Sequence, residues 1–277
     1  MRARGRARRA AGARVAVHAR AISDRERESR SCMRGARVVG LLATHALALR
    51  LPLRVPLRRV AAPRMSIEVE RKFEATDAAA LPTRVAALGG TLAGEVSFTD
   101  AYWDNAGCTL TRRDTWLRQR EGKWEIKIPL GDPGDRSGAS GGERTVFREV
   151  EGEAAVRTAL ESLLDGGALD GAGDLEATLR AAAFAPFVTF GTKRSKFRVG
   201  ECAIDADVAS FGHSVVEVEV MCESEAAVPE AEAAIARVAG ELQLVPLQNT
   251  GGKLETCIRR EAPAVLAALV EEGILKP

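Results

Sequence analysis

The sequence predicts an α+β domain built on a closed or nearly closed β-barrel, and three observations carry this prediction. Eight segments after residue 65 alternate apolar and polar side chains with a period of two, which is typical of strands. Only five segments show helical periodicity, too few to cover a second face of so many long strands. Nearly every strand carries one charged face, and both signs of charge are present.

The elements follow in order along the chain. Alternation predicts strands at 66–74, 95–104, 115–121, 123–130, 144–151, 187–198, 200–209 and 213–222. Helical patterns fill 77–88, 153–164, 174–183, 229–242 and 261–272, and the glycine pairs at 89–90 and 166–167 are natural helix stops. The short break at 121–123 predicts a hairpin, and 131–142 has the composition of a flexible loop.

Residues 1–64 differ from the rest of the chain in charge. They hold 17 arginines and three acids, a net of +14, so the remainder carries −12 of the total of +2. Arg-rich, acid-poor N-termini resemble organelle transit peptides, but a disordered basic tail or a start site placed upstream of the true Met65 would also explain this composition. We expect a disordered extension over 1–64 and one domain over 65–277. The localisation is then cytoplasmic if the chain starts at Met65, and otherwise mitochondrial or chloroplast.

Several function classes are disfavoured by the residues that the sequence lacks. Five cysteines show no CxxC spacing, and the domain holds a single histidine, His213, which argues against zinc and against histidine-based catalysis. Neither GxxxxGK[ST] nor GxGxxG occurs. The apolar run at 38–49 is too short to cross a bilayer, and no aromatic residue is interleaved with the N-terminal arginines. We therefore expect neither a membrane nor a nucleic acid as a partner.

The charged faces begin with SIEVERKF at 66–73. Ile67 and Val69 point to one side of this strand, and Glu68, Glu70 and Lys72 point to the other. The same alternation aligns charged side chains on the later strands: Arg118 with Arg120 beside Trp116, Glu125 with Lys127, Glu149 with Glu151, Arg194 with Lys196 and Arg198, Asp205 with Asp207, and Glu217 with Glu219.

Two arrangements account for these faces. They either point to bulk water around an ordinary core, or they line the inside of a barrel whose apolar outside is covered by helices. An interior of this kind is costly to desolvate unless a polyanion and a cation occupy it. A polyphosphate with a divalent metal meets both needs, because basic side chains bind phosphate oxygens and carboxylates bind Mg²⁺ or Mn²⁺.

An ordered set of segments resembles the CYTH superfamily, the triphosphate tunnel metalloenzymes. The set comprises IEVERKF, GGTLAGEVSFTDAYWD, TWLRQREGKWEIKIP, TKRS, IDADVASFG and VVEVEV, and it extends over about residues 65–260. TWLRQRE and DAYWD are most similar to the branch of the family that acts on thiamine triphosphate. The resemblance implies an eight-stranded antiparallel barrel that forms a tunnel, and Mg²⁺-dependent hydrolysis of the terminal phosphate, with Mn²⁺ as the alternative metal.

The resemblance also implies roles for individual residues. Phosphate is expected to contact Lys72, Arg118, Arg120, Lys127, Arg194 and Lys253. Metal ligands are expected at Asp205, Glu217 and Glu219, with Glu68 and Glu70 sharing the metal, while Glu149 is a further tunnel acid without an assigned role. In related enzymes a Tyr–Lys pair is proposed to deprotonate the attacking water, and the matching residues here are Tyr102 and Lys127.

Two of these expectations have open alternatives. A lysine among other cations has its ammonium form disfavoured, so Lys127 is expected to serve as a base near neutral pH; Tyr102 is either its partner or a barrel residue hydrogen-bonded to a neighbour. Trp116 lies one step along the strand from Arg118, which places its ring at the tunnel mouth. It either stacks on a cationic or pyrimidine ring there or packs within the barrel.

The expected activity is a thiamine-triphosphate hydrolase that acts as a monomer on a small-molecule substrate. Within the same fold, hydrolysis of tripolyphosphate or of nucleotides is the alternative. A non-catalytic polyphosphate-binding module and a structural protein with solvated charged faces are alternatives from other classes.

Overall fold

Eight antiparallel strands form the framework of the computed structural model, which describes residues 65–132, 144–164, 169, 173–247 and 251–277. The strands are β1 (Met65–Glu74), β2 (Thr91–Asn105), β3 (Trp116–Arg120), β4 (Lys123–Pro129), β5 (Arg144–Glu151), β6 (Phe184–Val199), β7 (Cys202–Ala209) and β8 (Ser214–Cys222). They close into a barrel in the order β1-β5-β4-β3-β2-β6-β7-β8. The predicted fold class is therefore confirmed.

Six helices accompany the barrel in the described ranges. They are α1 (Leu81–Ala87), α2 (Glu153–Leu163), α3 (Leu175–Ala181), α4 (Val228–Glu241), α5 (Lys253–Glu261) and α6 (Pro263–Glu271). None of these helices is long and apolar enough to cross a membrane. The four cysteines of the described ranges are buried and free.

The apolar outer faces of the strands pack under the helices. Ile235 and Val238 of α4 share a buried cluster with Val69 and Val218 from β1 and β8. Another cluster joins α2 to β4 through Val156, Leu160, Trp124 and Ile126, as expected for a tryptophan on the outer face. Because the side-chain period of a strand is two, this outward packing leaves the charged residues of the same strands on the inside.

Two predicted helices differ from the observed ones. The predicted helix at 77–88 begins only at Leu81, where Pro82 occupies the first turn and needs no hydrogen-bond partner for its nitrogen. The chain after 251 forms two helices, α5 and α6, instead of the single predicted helix at 261–272. Helix α5 was missed because its sequence KLETCIRRE contains few apolar residues, and Pro263 separates it from α6.

Parts of the prediction lie outside the described residues. These are the extension at 1–64, the predicted loop from residue 133 onward, and the glycine pair at 166–167.

Truncation of a valine under α4 should destabilise the barrel. Val218 is fully buried in the α4 cluster, so Val218→Ala removes two methyl groups and leaves a cavity. We expect the free energy of unfolding in urea to fall by about 2 kcal/mol. Val208→Ala is the matched control, because Val208 of β7 is 51% exposed. An equal loss of unfolding free energy in the two variants would show that α4 does not bury the outer face of β8.

Candidate active site

The inner faces of the barrel surround a cavity of about 400 Å³. Side chains from every strand except β7 line it, together with residues of α5. The sequence-predicted residues among them are Glu68, Glu70, Lys72, Tyr102, Trp116, Arg118, Arg120, Lys127, Glu149, Arg194, Glu217, Glu219 and Lys253. Most of the charged side chains on these strand faces therefore converge on one cavity; Arg198, near the end of β6, is exposed and does not line it.

Asp205 is the one predicted site residue that does not reach the cavity wall. It is fully buried behind the wall, where it pairs with the guanidinium of Arg194 and lies opposite Glu217 in the strand register. Burial raises the pKa of its carboxyl, and Arg194 opposes that change. In this arrangement Asp205 supports Arg194 and is one layer away from the open space.

Three carboxylates on neighbouring strands form an acidic cluster in the cavity. Oxygen atoms of Glu68, Glu70 and Glu219 lie within 4.8 Å of one another. Glu70 and Glu219 are directly opposite in the β1–β8 register, a placement that is destabilising for two like charges. Burial, followed by repulsion from Glu68, Asp205 and Glu70, raises the pKa of Glu219 to about 8. Carboxylate oxygens at this spacing suit a hard divalent cation.

Glu217 belongs to a different network from this cluster. Its carboxylate accepts hydrogen bonds from Lys253 at 2.7 Å and from Arg194 at 3.0 Å. Burial alone would raise its pKa, but Lys253 and Arg194 hold it well below the usual range. The structure therefore separates the predicted metal ligands into a clustered set and the pair Asp205 and Glu217, which bind basic side chains.

The basic side chains of the cavity are held by carboxylates. Lys72 pairs with Glu70, and Arg118 pairs with Glu125. Arg120 donates two hydrogen bonds to Asp100, at 2.6 and 2.9 Å. Arg194 donates two to Asp207, at 2.7 and 2.6 Å, and Lys253 also pairs with Asp207. These cations are positioned before any anion binds.

Lys127 has a surrounding that the sequence did not predict. Its ammonium pairs with Glu68 from across β5 and lies 3.7 Å from Glu149. Burial would lower its pKa, but Glu68, Glu149 and Glu125 outweigh both burial and Arg118, and the pKa is raised well above its usual value. The sequence analysis expected neighbouring cations to lower the pKa of Lys127. That expectation is wrong, because the charged groups nearest to its ammonium are the carboxylates of Glu68 and Glu149.

Tyr102 faces the same cavity from β2. Its ring stacks on Phe190, with ring centroids 6.0 Å apart. Burial raises the pKa of its hydroxyl, while Arg118 opposes that rise. The residue is therefore a neutral hydroxyl at neutral pH, opposite Arg118 in the β2–β3 register, an arrangement that suits hydrogen bonding to a water or a phosphate.

Trp116 both packs and lines the cavity. Its indole N–H donates to Asp114 at 2.9 Å, and its ring is buried among Phe147 and Ile258. The hydrogen bond fixes the edge of the ring, and Lys127 is the partner of Trp116 in the β3–β4 register. Apolar side chains adjoin it in the lining: Phe147, Met221, Leu254, Ile258 and Leu275.

Several residues of the site were missed by sequence reasoning. Asp100, Glu125 and Lys196 line the cavity, and Asp207 binds two of its cations. Strand alternation aligns Asp207 with Asp205 but assigned it no role. Asp100 precedes Tyr102 by two residues, so the same alternation could have found it. Gly252, at the start of α5, is a further site residue, and no sequence pattern indicated it. A Cβ at this position would lie 2.7 Å from Cε of Lys72, so the backbone here approaches the Lys72 side chain closely.

Comparison with known proteins finds a matching family model, sequence relatives and similar solved structures. The model of the CYTH domain family matches residues 66–248. Thiamine-triphosphatases of Homo sapiens and Macaca fascicularis are each 35% identical to the chain over 218 residues, which is 74% of this chain and 90% of each relative. Among solved structures, the PH1819 protein of Pyrococcus horikoshii OT3 has 19% identity and a TM-score of 0.47, covering 70% of this chain and 99% of its own.

Stability without metal should fall as the pH rises through the neutral range. Burial and the nearby acids Glu125 and Glu68 raise the pKa of Glu149 from 4.5 to about 8, against the effect of Lys127. Between these values the native state keeps a proton that the unfolded state has released, so the free energy of unfolding declines by about 1 kcal/mol per pH unit for such a group. Urea unfolding in EDTA at pH 5 to 9 measures the decline.

The variant Glu149→Gln should reduce the decline of the free energy of unfolding with pH. A smaller decline should remain, because the pKa of Glu219 is also raised. Glu223→Gln is the control, because Glu223 is exposed after the end of β8. If the free energy of unfolding of Glu149→Gln depends on pH as steeply as that of the wild type, Glu149 is not protonated in the native cavity.

Proposed function

Since the chain belongs to the CYTH domain family, we propose that this triphosphatase hydrolyses the terminal phosphate of thiamine triphosphate with the help of Mg²⁺. The observation that carries the proposal is the opposition of charges within one cavity: an acidic cluster on β1 and β8 faces a set of lysines and arginines. Such a cavity is complementary to a metal-bound triphosphate, whose cation and oxyanions match the two sets.

The metal is assigned to Glu68, Glu70 and Glu219. Their oxygen atoms lie within 4.8 Å of one another, as do those of a second group, Glu125, Glu149 and Glu151. We assign the metal to the first group because its three members are the ones that the family resemblance predicts as ligands. A divalent cation bound there neutralises phosphate charge and lowers the pKa of bound water. Asp205 and Glu217 remain predicted ligands; both would have to be released by Arg194 before they took part.

We assign binding of the phosphate chain to the basic side chains that form ion pairs with carboxylates in the cavity. Arg118, Arg120 and Arg194 offer guanidinium groups with several donors each, and Lys72, Lys127 and Lys253 add compact charges. On binding, phosphate oxygens replace carboxylate oxygens as acceptors, so the cations exchange one anionic partner for another. Charge that develops on the phosphate during bond cleavage is then stabilised by groups already in place.

Tyr102 and Lys127 are assigned to the attacking water. The tyrosine hydroxyl accepts or donates a hydrogen bond and so orients the water. Lys127, with its raised pKa, contributes a positive charge beside it in the resting enzyme. It becomes a base only if substrate displaces the carboxylates of Glu68 and Glu149 that favour its ammonium form.

The organic part of the substrate is assigned to the apolar portion of the lining. Trp116 provides a ring whose edge is fixed by Asp114, and Phe147 and Ile258 adjoin it. A cationic thiazolium is attracted to an aromatic face. Tripolyphosphate lacks this group and would use the basic side chains alone, which makes it the second candidate substrate.

A comparison of three substrates tests the proposal. Thiamine triphosphate should be hydrolysed with a kcat/KM at least about fivefold above that for tripolyphosphate or ATP, since one aromatic contact contributes about 1 kcal/mol or more. Phosphate release is measured for each substrate with Mg²⁺ and with EDTA, and activity should be lost in EDTA. A preference for tripolyphosphate would refute the thiamine assignment.

A matched variant separates ring recognition from phosphate binding. Trp116→Leu should raise the KM for thiamine triphosphate and leave the KM for tripolyphosphate unchanged.

Binding of all three compounds by the wild-type chain without any hydrolysis would identify a non-catalytic module instead.

Removal of the Tyr102 hydroxyl should slow turnover. Tyr102→Phe keeps the ring that stacks on Phe190 but cannot orient water, and we expect kcat to fall by about tenfold or more with little change in KM. Tyr102 is the only tyrosine in the chain, so loss of tyrosine absorbance also verifies the variant. Steady-state turnover equal to wild type would remove Tyr102 from the mechanism.

A further inference from the structure

Two arginines of the cavity are held in the same manner on opposite sides of β2. Arg120 on β3 forms a two-point contact with Asp100, and Arg194 on β6 forms one with Asp207. Both aspartates are buried, at 1% exposure each. The carboxylates therefore fix one edge of each guanidinium within the barrel wall.

Phe98 lies between these two arginines. The Cζ atom of Arg120 is 3.8 Å from the centroid of the Phe98 ring, and that of Arg194 is 5.4 Å away. This placement follows from the topology, because β2 is the strand between β3 and β6. Phe98 is two residues before Asp100 and four before Tyr102, so all three share the inner face of β2.

An aromatic ring suits this position for a physical reason. A free arginine side chain loses up to about 2 kcal/mol of rotamer entropy when it is fixed, and two guanidinium groups repel each other at short range. The negative face of the ring attracts both cations. Unlike a third carboxylate, it adds no anion that would compete with phosphate.

We propose that Phe98, Asp100 and Asp207 are positioning residues that hold Arg120 and Arg194 in the orientation that binds the phosphate chain. This inference rests on the proposed function and extends it to side chains that do not themselves contact phosphate. Asp100 and Asp207 set the edges of the two guanidinium groups, and Phe98 sets their faces. Asp100 uses Nε and one terminal nitrogen of Arg120 and leaves the other terminal nitrogen for the anion. Arg194 also pairs with Asp205 and Glu217, so a phosphate oxygen has to replace one of these two partners.

The chain contains a matched control for the aromatic contact. Arg260 lies over the ring of Phe211, with Cζ at 5.2 Å from the centroid. Neither residue lines the cavity, and Phe211, like Phe98, is half-buried. Phe211→Leu therefore removes a contact of the same kind without touching the phosphate-binding arginines.

Titration calorimetry of the full chain with inorganic tripolyphosphate and Mg²⁺ tests the inference. Phe98→Leu should weaken binding by about tenfold, because it releases two arginines at once. Phe98→Tyr keeps the ring and should bind within about threefold of wild type, and Phe211→Leu should match wild type. In steady-state assays Phe98→Leu should raise KM more than it lowers kcat, whereas a loss of folded protein lowers the apparent kcat alone.

A second variant protects the test against a folding defect. Asp100→Asn preserves the side-chain volume, and it should also weaken tripolyphosphate binding, because the amide cannot hold the Arg120 guanidinium at both oxygens. Unchanged affinity in both Phe98→Leu and Asp100→Asn would overturn the inference while wild-type binding upholds the proposed function. A wild-type chain that fails to bind tripolyphosphate would overturn both.

Discussion

The structure depends on the confinement of charged strand faces inside a closed barrel. Charges removed from water are tolerated only when they are paired, and the strand register supplies the pairs. Lys72 is opposite Glu217, Arg118 opposite Glu125, Lys127 opposite Glu149, Arg120 opposite Asp100, and Arg194 opposite Asp207. Three pairs of acids depart from this order: Glu70 opposite Glu219, Asp205 opposite Glu217 and Glu125 opposite Glu151. Arg194 pairs with both Asp205 and Glu217, and Arg118 pairs with Glu125. The pair Glu70 and Glu219 instead belongs to the three-carboxylate cluster, which is where we propose that a cation binds.

The internal carboxylates thus have two effects on function. They keep the basic side chains ordered, which reduces the entropy lost when a phosphate chain binds. They also compete with phosphate for the same donors, so part of the binding free energy goes into separating ion pairs. Asp207, which is buried and does not line the cavity, gives the first effect with little of the second. Glu68 and Glu149 line the cavity and hold Lys127, so an anion that binds Lys127 has to displace them.

Sequence reasoning found the parts of the site that a strand period determines. Alternation placed Glu68, Arg118 and Glu219 on the charged faces of their strands, because a residue's side of a strand depends only on its position; that these faces line a tunnel was implied by the family resemblance. The raised pKa of Lys127 was not predictable in this way, since it depends on Glu68 from a strand two places away in the barrel. The contacts of Phe98 depend on the orientation of two long arginine side chains, and α5 was missed because its few apolar residues serve one narrow face.

The strand order also gives the cavity a direction. In a ring of eight strands, β2 lies opposite β1, and β3 lies opposite β8. The acidic cluster belongs to β1 and β8, while Arg118, Arg120 and the residues that orient Arg120 belong to β3 and β2. Under the proposed function, a phosphate chain bound between these walls would have its cation on one side and its guanidinium donors on the other, so its charge would be neutralised from both sides of the bond that breaks.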